Sequence, residues 1–375
     1  MVKAAIRWVA LAALLGGPPA RARPAPPAVE RFERVDYVSA IDAAEQMGLR
    51  LSWRAAGRQL ALSDRSHRID LEAESREAVV DGLRVYLGNP VVARGGRLYV
   101  RRSDYERRLV PLACPGLCGP PPRPVSVIAV DPGHGGVDHG AENPRLGLME
   151  KTFTLDVGLR LRKLLEDAGY KVVLTRATDT KVELPIRALI ANQAGADLFV
   201  SIHFNSLARD TRTHGTEVYT FPLSGQRSDE AWGGRENDGE PSASPVNRFD
   251  CWSAILAQSL HRSVLQALRT EDRGGKTKHL AALRSLDCPA ALVESAYLSN
   301  DAEAQRVATP AFRQQVAEAL LGGIRAYAAA LDRLRPAGEP GQGARTDSPA
   351  KGPPPAGDPP PRAASLAHPT RPASP

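Results

Sequence analysis

The sequence predicts an α/β protein, with a mostly parallel sheet flanked by helices and a small α+β module in front of it. Three observations lead there. Beyond residue 125, short apolar runs alternate with long helical stripes, as strands layered with helices require. Before residue 112 the runs are shorter, alternate with period two, and carry a hairpin signal at Asp81-Gly82. The 375 residues leave room for two domains and tails, and the 32 prolines concentrate between and beyond these regions, so the ends are not expected to fold.

In chain order, residues 1–22 read as a secretory signal. Lys3 and Arg7 precede an apolar run from Trp8 to Leu15, too short to span a bilayer, and Ala20-Arg21-Ala22 offers a small-x-small cleavage site. The mature chain is therefore expected to be exported, periplasmic or extracellular, with no integral membrane segment. Residues 32–112 form the α+β module, in which Ser39 to Met47 carries a helical period stopped by Gly48, followed by short strands up to Arg97–Val100. Residues 113–124 are a Pro-rich linker.

The second domain, 125–333, opens with the buried strand Ser126 to Val130. A helix from Lys151 to Ala168 ends at Gly169, and a strand runs from Tyr170 to Leu174. A helix from Leu184 to Gln193 has Pro185 in its first turn. Strands are expected at Asp197–Ile202, Thr216–Phe221, Ala281–Leu283 and Ala290–Glu294, and helices at Trp252–Leu268 and Phe312–Leu331. Residues 222–250 lack an apolar period and read as a long loop without a plugging helix. From 336 to 375 the composition is that of a disordered Pro-rich tail.

A net charge of +7 favours anionic partners. Nucleic acid is disfavoured, because only 5% of residues are aromatic and no basic block is interleaved with them. Cys114, Cys118, Cys251 and Cys288 suit an oxidising compartment, where Cys114 could close a small loop with Cys118 and Cys251 could clamp to Cys288. No Cys-x-x-Cys spacing supports a cysteine metal cluster.

His134 follows the first strand of the second domain between glycines, Glu150 opens the next helix, and His203 ends another strand. Carboxyl ends of neighbouring parallel strands open on one crevice, so the three can converge as a His/Glu/His set. Imidazole and carboxylate are the ligands that Zn2+ takes in catalytic sites, with a further position left for water. Spacing alone would also allow two unrelated surface histidines.

The flanking sequence is more specific. Val127-Ile128-Ala129-Val130-Asp131-Pro132-Gly133-His134-Gly135-Gly136, Glu150-Lys151, Gly169 through Arg176, Ala196 through Asn205, Gly215 through Tyr219, and Pro289 through Glu294 resemble the zinc-dependent N-acetylmuramoyl-L-alanine amidases of the type-3 family over about residues 125–333. The module loosely resembles the copper amine oxidase N-terminal domain.

The amidase resemblance implies a three-layer catalytic domain, with His134, Glu150 and His203 as zinc ligands and Glu294 as the catalytic carboxylate. It implies peptidoglycan as substrate and hydrolysis of the amide between N-acetylmuramic acid and L-alanine. Asn205 would orient a ligand or the substrate, and the module would target the enzyme or act as a stalk. Two departures fall after Glu294, where Ala296 and Tyr297 replace the family's usual Gly and Phe, and His139 stands where Pro is common. A different zinc cell-wall peptidase and a non-catalytic cell-wall binding protein are the alternative readings. No Gly-x-Ser-x-Gly supports a serine hydrolase.

Overall fold

Strand Val127–Pro132 sits inside the catalytic half of the sheet and shows how its layers arise. Successive side chains on a strand point to opposite faces. Ile128 and Val130 pack into one apolar cluster, while Ala129 packs into another. The first cluster is closed by helices Glu150–Asp167, Asp250–Leu268 and Pro310–Arg333, through side chains such as Val157, Leu161, Leu260, Leu320 and Ile324. The second is closed by helix Leu184–Gln193 with Ala188 and Ala191. Helices therefore cover both faces, giving three layers, and each fully buried Leu or Ile contributes about 1.5–3 kcal/mol.

The computed structural model describes residues 25–208, 210–231, 238–239 and 242–336. The signal segment at 1–22 and the tail beyond 336 lie outside the described residues. Strand order across the catalytic half is Lys171–Leu174, Val127–Pro132, Leu198–Asn205, Ala290–Tyr297, Thr216–Thr220 and Asp272–Thr277. The first four strands pair in parallel, and Thr216–Thr220 runs antiparallel to Ala290–Tyr297.

The sheet does not stop at the second domain. Gly275 pairs in parallel with Val85, and the module's strands Leu83–Tyr86, Glu77–Val80, Arg68–Glu72, Gln59–Ser63 and Arg50–Ala55 continue it as an antiparallel meander to eleven strands. Buried Arg108 ties the halves together, donating to the Tyr86 carbonyl at 2.7 Å, Gln226 Oε1 at 2.9 Å and Thr277 Oγ1 at 3.3 Å. Within the segment expected to be a linker, Pro115–Cys118 forms a 3-10 turn packed against both neighbouring cores.

Several expectations require correction. Ala281–Leu283 is not a strand: Ala281–Arg284 forms one helical turn, in keeping with the helix propensity of Ala, Leu and Arg. Asp272–Thr277 is a strand although its sequence, DRGGKT, carries no apolar alternation; it is held by partners on both edges. The closing helix is preceded by a separate one, Asp301–Ala308, because Thr309 caps a new start with Pro310 in the first position. Neither Cys114–Cys118 nor Cys251–Cys288 is bridged. The helix at the module's start is Ala40–Met47, with Ser39 accepting from the Asp42 amide at 3.1 Å and Gly48 in the left-handed region.

Candidate metal centre and catalytic carboxylate

His134, Glu150 and His203 meet at the carboxyl edge of the sheet, with one potential ligand atom from each within 4.8 Å of the others. Strand Val127–Pro132 delivers His134 through a turn in which His134 itself adopts φ 62°, a left-handed conformation that costs a non-glycine residue energy and tends to occur at functional sites. His203 comes from the parallel neighbour Leu198–Asn205. A two-stranded ribbon missed in the sequence, Glu142–Asn143 with Leu148–Met149, returns the chain so that Glu150 begins its helix at the same edge.

The carboxylate of Glu150 bridges the two imidazoles, with His203 Nδ1 at 2.8 Å from Oε1 and His134 Nε2 at 3.0 Å from Oε2. Backbone amides fix its orientation, Ala141 N donating at 2.7 Å and Phe204 N at 3.0 Å. Burial pushes the Glu150 carboxyl upward, but the two imidazoles outweigh it and hold it well below the usual carboxylate range. His134 Nδ1 lies 2.9 Å from Asp138 Oδ1, an arrangement that orients the ring and leaves Nε2 toward the centre. Burial lowers the His134 pKa, yet the Glu150 and Asp138 carboxylates raise it overall.

Shape supports the same use. A Cβ on Gly133 would lie 2.2 Å from the His203 ring, and one on Gly140 would lie 2.5 Å from both Glu150 Oε2 and His134 Cδ2. The loops leave room for ligand side chains and for nothing larger than hydrogen behind them. Two nitrogens and a carboxylate gathered this closely, with one ring steered by a carboxylate, match the donor set and outer contacts of a zinc site.

Glu294 stands on Ala290–Tyr297 in register with His203 on one side and Glu217 on the other. Its Oε2 is sealed from solvent without a hydrogen-bond partner. Burial raises the Glu294 pKa well above the usual carboxylate value, with the Glu150 and Glu217 charges acting in the same direction. Glu217 is itself buried and accepts from Tyr219 Oη at 3.0 Å, Tyr297 Oη at 2.9 Å, Asn205 Nδ2 and Lys276 Nζ. Asn205, expected to orient a ligand or substrate, instead donates to Glu217. Tyr297, noted in the sequence as a departure, uses its hydroxyl in this network.

A cavity of about 400 Å³ opens beside His134 and His203, walled by Val137, Lys181, Leu184 and Ala282. Two further histidines have other carboxylate partners: His139 pairs with Glu142 at 3.0 Å, and buried His261 faces Asp272 at 3.2 Å. Beneath the site, buried Asp131 accepts from Arg187 Nη1 at 2.7 Å, Thr175 Oγ1 at 2.6 Å and Ser201 Oγ at 2.6 Å, bracing the strand that carries His134.

Residues 128–326 match the model of the N-acetylmuramoyl-L-alanine amidase family. The chain belongs to that family. Residues 21–106 match the copper amine oxidase N-terminal domain, so the amidase domain is preceded by a module of that kind. Among curated relatives, amidase AmiC of Escherichia coli O6:H1 is 33% identical over 248 residues, covering 60% of this chain and 58% of AmiC. Amidase AmiA of Escherichia coli K12 is 30% identical, covering 54% of this chain and 75% of AmiA. The sporulation-specific amidase of Bacillus subtilis is 34% identical, with coverages of 52% and 66%. The chain thus spans just over half of AmiC and about two thirds of the Bacillus protein. Among solved structures, AmiC2 of Nostoc punctiforme is 32% identical, with a TM-score of 0.45 over 54% of this chain and 96% of that one.

Proposed function

We propose that this protein is an exported, zinc-dependent peptidoglycan hydrolase that cleaves the amide between N-acetylmuramic acid and the L-alanine of the stem peptide. The convergence of His134, Glu150 and His203 beside Glu294, the register neighbour of His203, carries this reading. Zinc held by those three side chains would polarise the scissile carbonyl and make water acidic enough to react near neutrality. Glu294 is the general base and then the general acid, taking the water proton and passing it to the departing alanine nitrogen. Among the described residues, Glu294 Oε2 has no hydrogen-bond partner that would compete for that proton.

Asp138 holds the His134 ring, and the backbone amides of Ala141 and Phe204 hold Glu150, so the ligand set is organised before substrate arrives. The apolar wall of Val137 and Leu184 suits the lactyl and alanyl methyl groups that flank the scissile bond. Export rests on the signal segment of the sequence, and among the described residues no helix is long and apolar enough to cross a membrane. The module is assigned a targeting role, and the sheet it shares with the catalytic half supports rigid placement on the wall over a loose tether.

Digestion of purified peptidoglycan by the zinc-loaded full chain, with products assayed for new N-terminal L-alanine, tests the reading. Release of sugar reducing ends or of D-alanine in its place overturns the bond assignment. Binding without release of either would identify a non-catalytic wall protein.

A further inference from the structure

The four cysteines occupy unlike environments. Cys114 donates to the Met47 carbonyl at 3.2 Å, and burial pushes its thiol up to about 11. Cys288 is buried in the apolar cluster beside helix Leu184–Gln193, where desolvation pushes it up to about 12. Cys251 differs. It lies in the first turn of helix Asp250–Leu268, where the helix dipole favours a thiolate, with Arg107 Nη1 at 3.8 Å. Its sulfur is in hydrogen-bond contact with Cys118, and this contact with the Arg107 charge outweighs burial and brings its pKa down to about 7.

Cys118 ends the 3-10 turn Pro115–Cys118, between the module and the catalytic half. Both cysteines line a cavity of about 590 Å³ that also touches Pro27, Gln46, Tyr105 and Arg107, giving a reagent a way in. An acidified thiol, a second thiol in contact with it and an access route are the parts of a dithiol that exchanges with disulfides.

We propose that Cys118 and Cys251 are a redox-active pair that an external protein or glutathione disulfide oxidises to an intramolecular disulfide, fastening the inter-domain turn to the catalytic helix. Cys251 thiolate attacks one sulfur of the oxidant, forming a mixed disulfide and expelling the other sulfur as a thiolate. Cys118, on losing its proton, attacks Cys251 Sγ and expels the second thiolate. Two electrons and two protons leave the chain, and the oxidant becomes two thiols.

The full chain, purified reduced, is incubated with oxidised glutathione, alkylated, digested without reduction and analysed by mass spectrometry. The expected product is a Cys118–Cys251 cross-linked peptide, with Cys114 and Cys288 recovered as alkylated thiols. Before oxidation, iodoacetamide should modify Cys251 at least about tenfold faster than Cys114 or Cys288 near pH 7. Oxidation should raise Tm by about 5 °C or more. Cys118→Ser should trap glutathione on Cys251, whereas Cys251→Ser should leave Cys118 unmodified. Cross-links confined to Cys114–Cys118 or Cys251–Cys288, no loss of thiols, or equal alkylation of all four cysteines overturns the proposal, and the wild-type alkylation pattern decides it even if a variant fails to fold.

Discussion

Replacing Gly140 with alanine probes whether the proposed ligand loop is shaped for metal. Its φ of +70° is left-handed, and the added Cβ would stand 2.5 Å from both Glu150 Oε2 and His134 Cδ2. Ordinary contact needs roughly 3.5 Å, so both side chains must retreat by about 1 Å, several times the roughly 0.2 Å tolerance of a metal–ligand bond. Neither can retreat freely, since Glu150 is held by the Ala141 and Phe204 amides and His134 by Asp138. The expected loss is at least about 100-fold in zinc affinity, or about 2.8 kcal/mol. Gly147→Ala is the control, because its φ is +65° and no atom lies within 4 Å of the new Cβ. It bears only the backbone strain of about 1–2 kcal/mol and keeps its zinc affinity. Competition against a chromophoric chelator reads both, with circular dichroism confirming the fold. A folded Gly140→Ala protein that binds zinc as tightly as wild type refutes the assignment of this loop.

Glu294→Gln should lower amide hydrolysis by about 10²–10⁴-fold while zinc content by elemental analysis stays at the wild-type level, and a variant that keeps its rate removes Glu294 from the chemistry. Asp138→Ala should weaken zinc about 10–100-fold in the same chelator assay, with unchanged affinity showing that the His134 contact is incidental. Metal-free protein gains stability from the raised pKa of His134 below about pH 6.5 and loses it as pH rises through the folded value. Zinc needs the neutral ring, so the zinc-induced rise in Tm should be larger near pH 8 than near pH 6, and the reverse order would contradict the ligand assignment. Arg76→Met should destabilise the fold by about 3–5 kcal/mol in denaturant melts, because it leaves buried Asp229 without its ion-pair partner; a change below about 1 kcal/mol would show that the contact carries little.

The three-layer half was legible because its strands and helices carry strong periodicity and the ligand residues lie in loops that a parallel sheet must bring to one edge. What lacked a local signal was missed. Asp272–Thr277 has no apolar face and is a strand only because it fills a gap between Thr216–Thr220 and Leu83–Tyr86. Ala281–Leu283 is too short for period to separate strand from helix. Asp138 could have been singled out, as an acid four residues beyond a histidine in a Gly-rich loop. The Glu217 network could not, since its members come from four strands and meet only through sheet register. Closeness in sequence favours Cys114 with Cys118, and nothing local marks Cys251 as a neighbour of either, whereas the fold brings Cys118 to Cys251.

The joined sheet changes what the module does for the crevice. Gln226 donates to Asp104 at 2.9 Å and to Ser103 at 3.2 Å, so the segment after strand Thr216–Thr220 is anchored on module side chains. Three residues on, Asp229 pairs with Arg76 of the module and accepts from the Thr277 amide at 2.5 Å. The next residue, Glu230, accepts from Tyr219 Oη at 2.9 Å, and that hydroxyl also meets Glu217, the register neighbour of Glu294. An unbroken run of contacts thus leads from the module to the residue beside the proposed general base. The amidase half supplies the ligands and Glu294, while the position of the wall next to Glu294 depends on both halves being folded together.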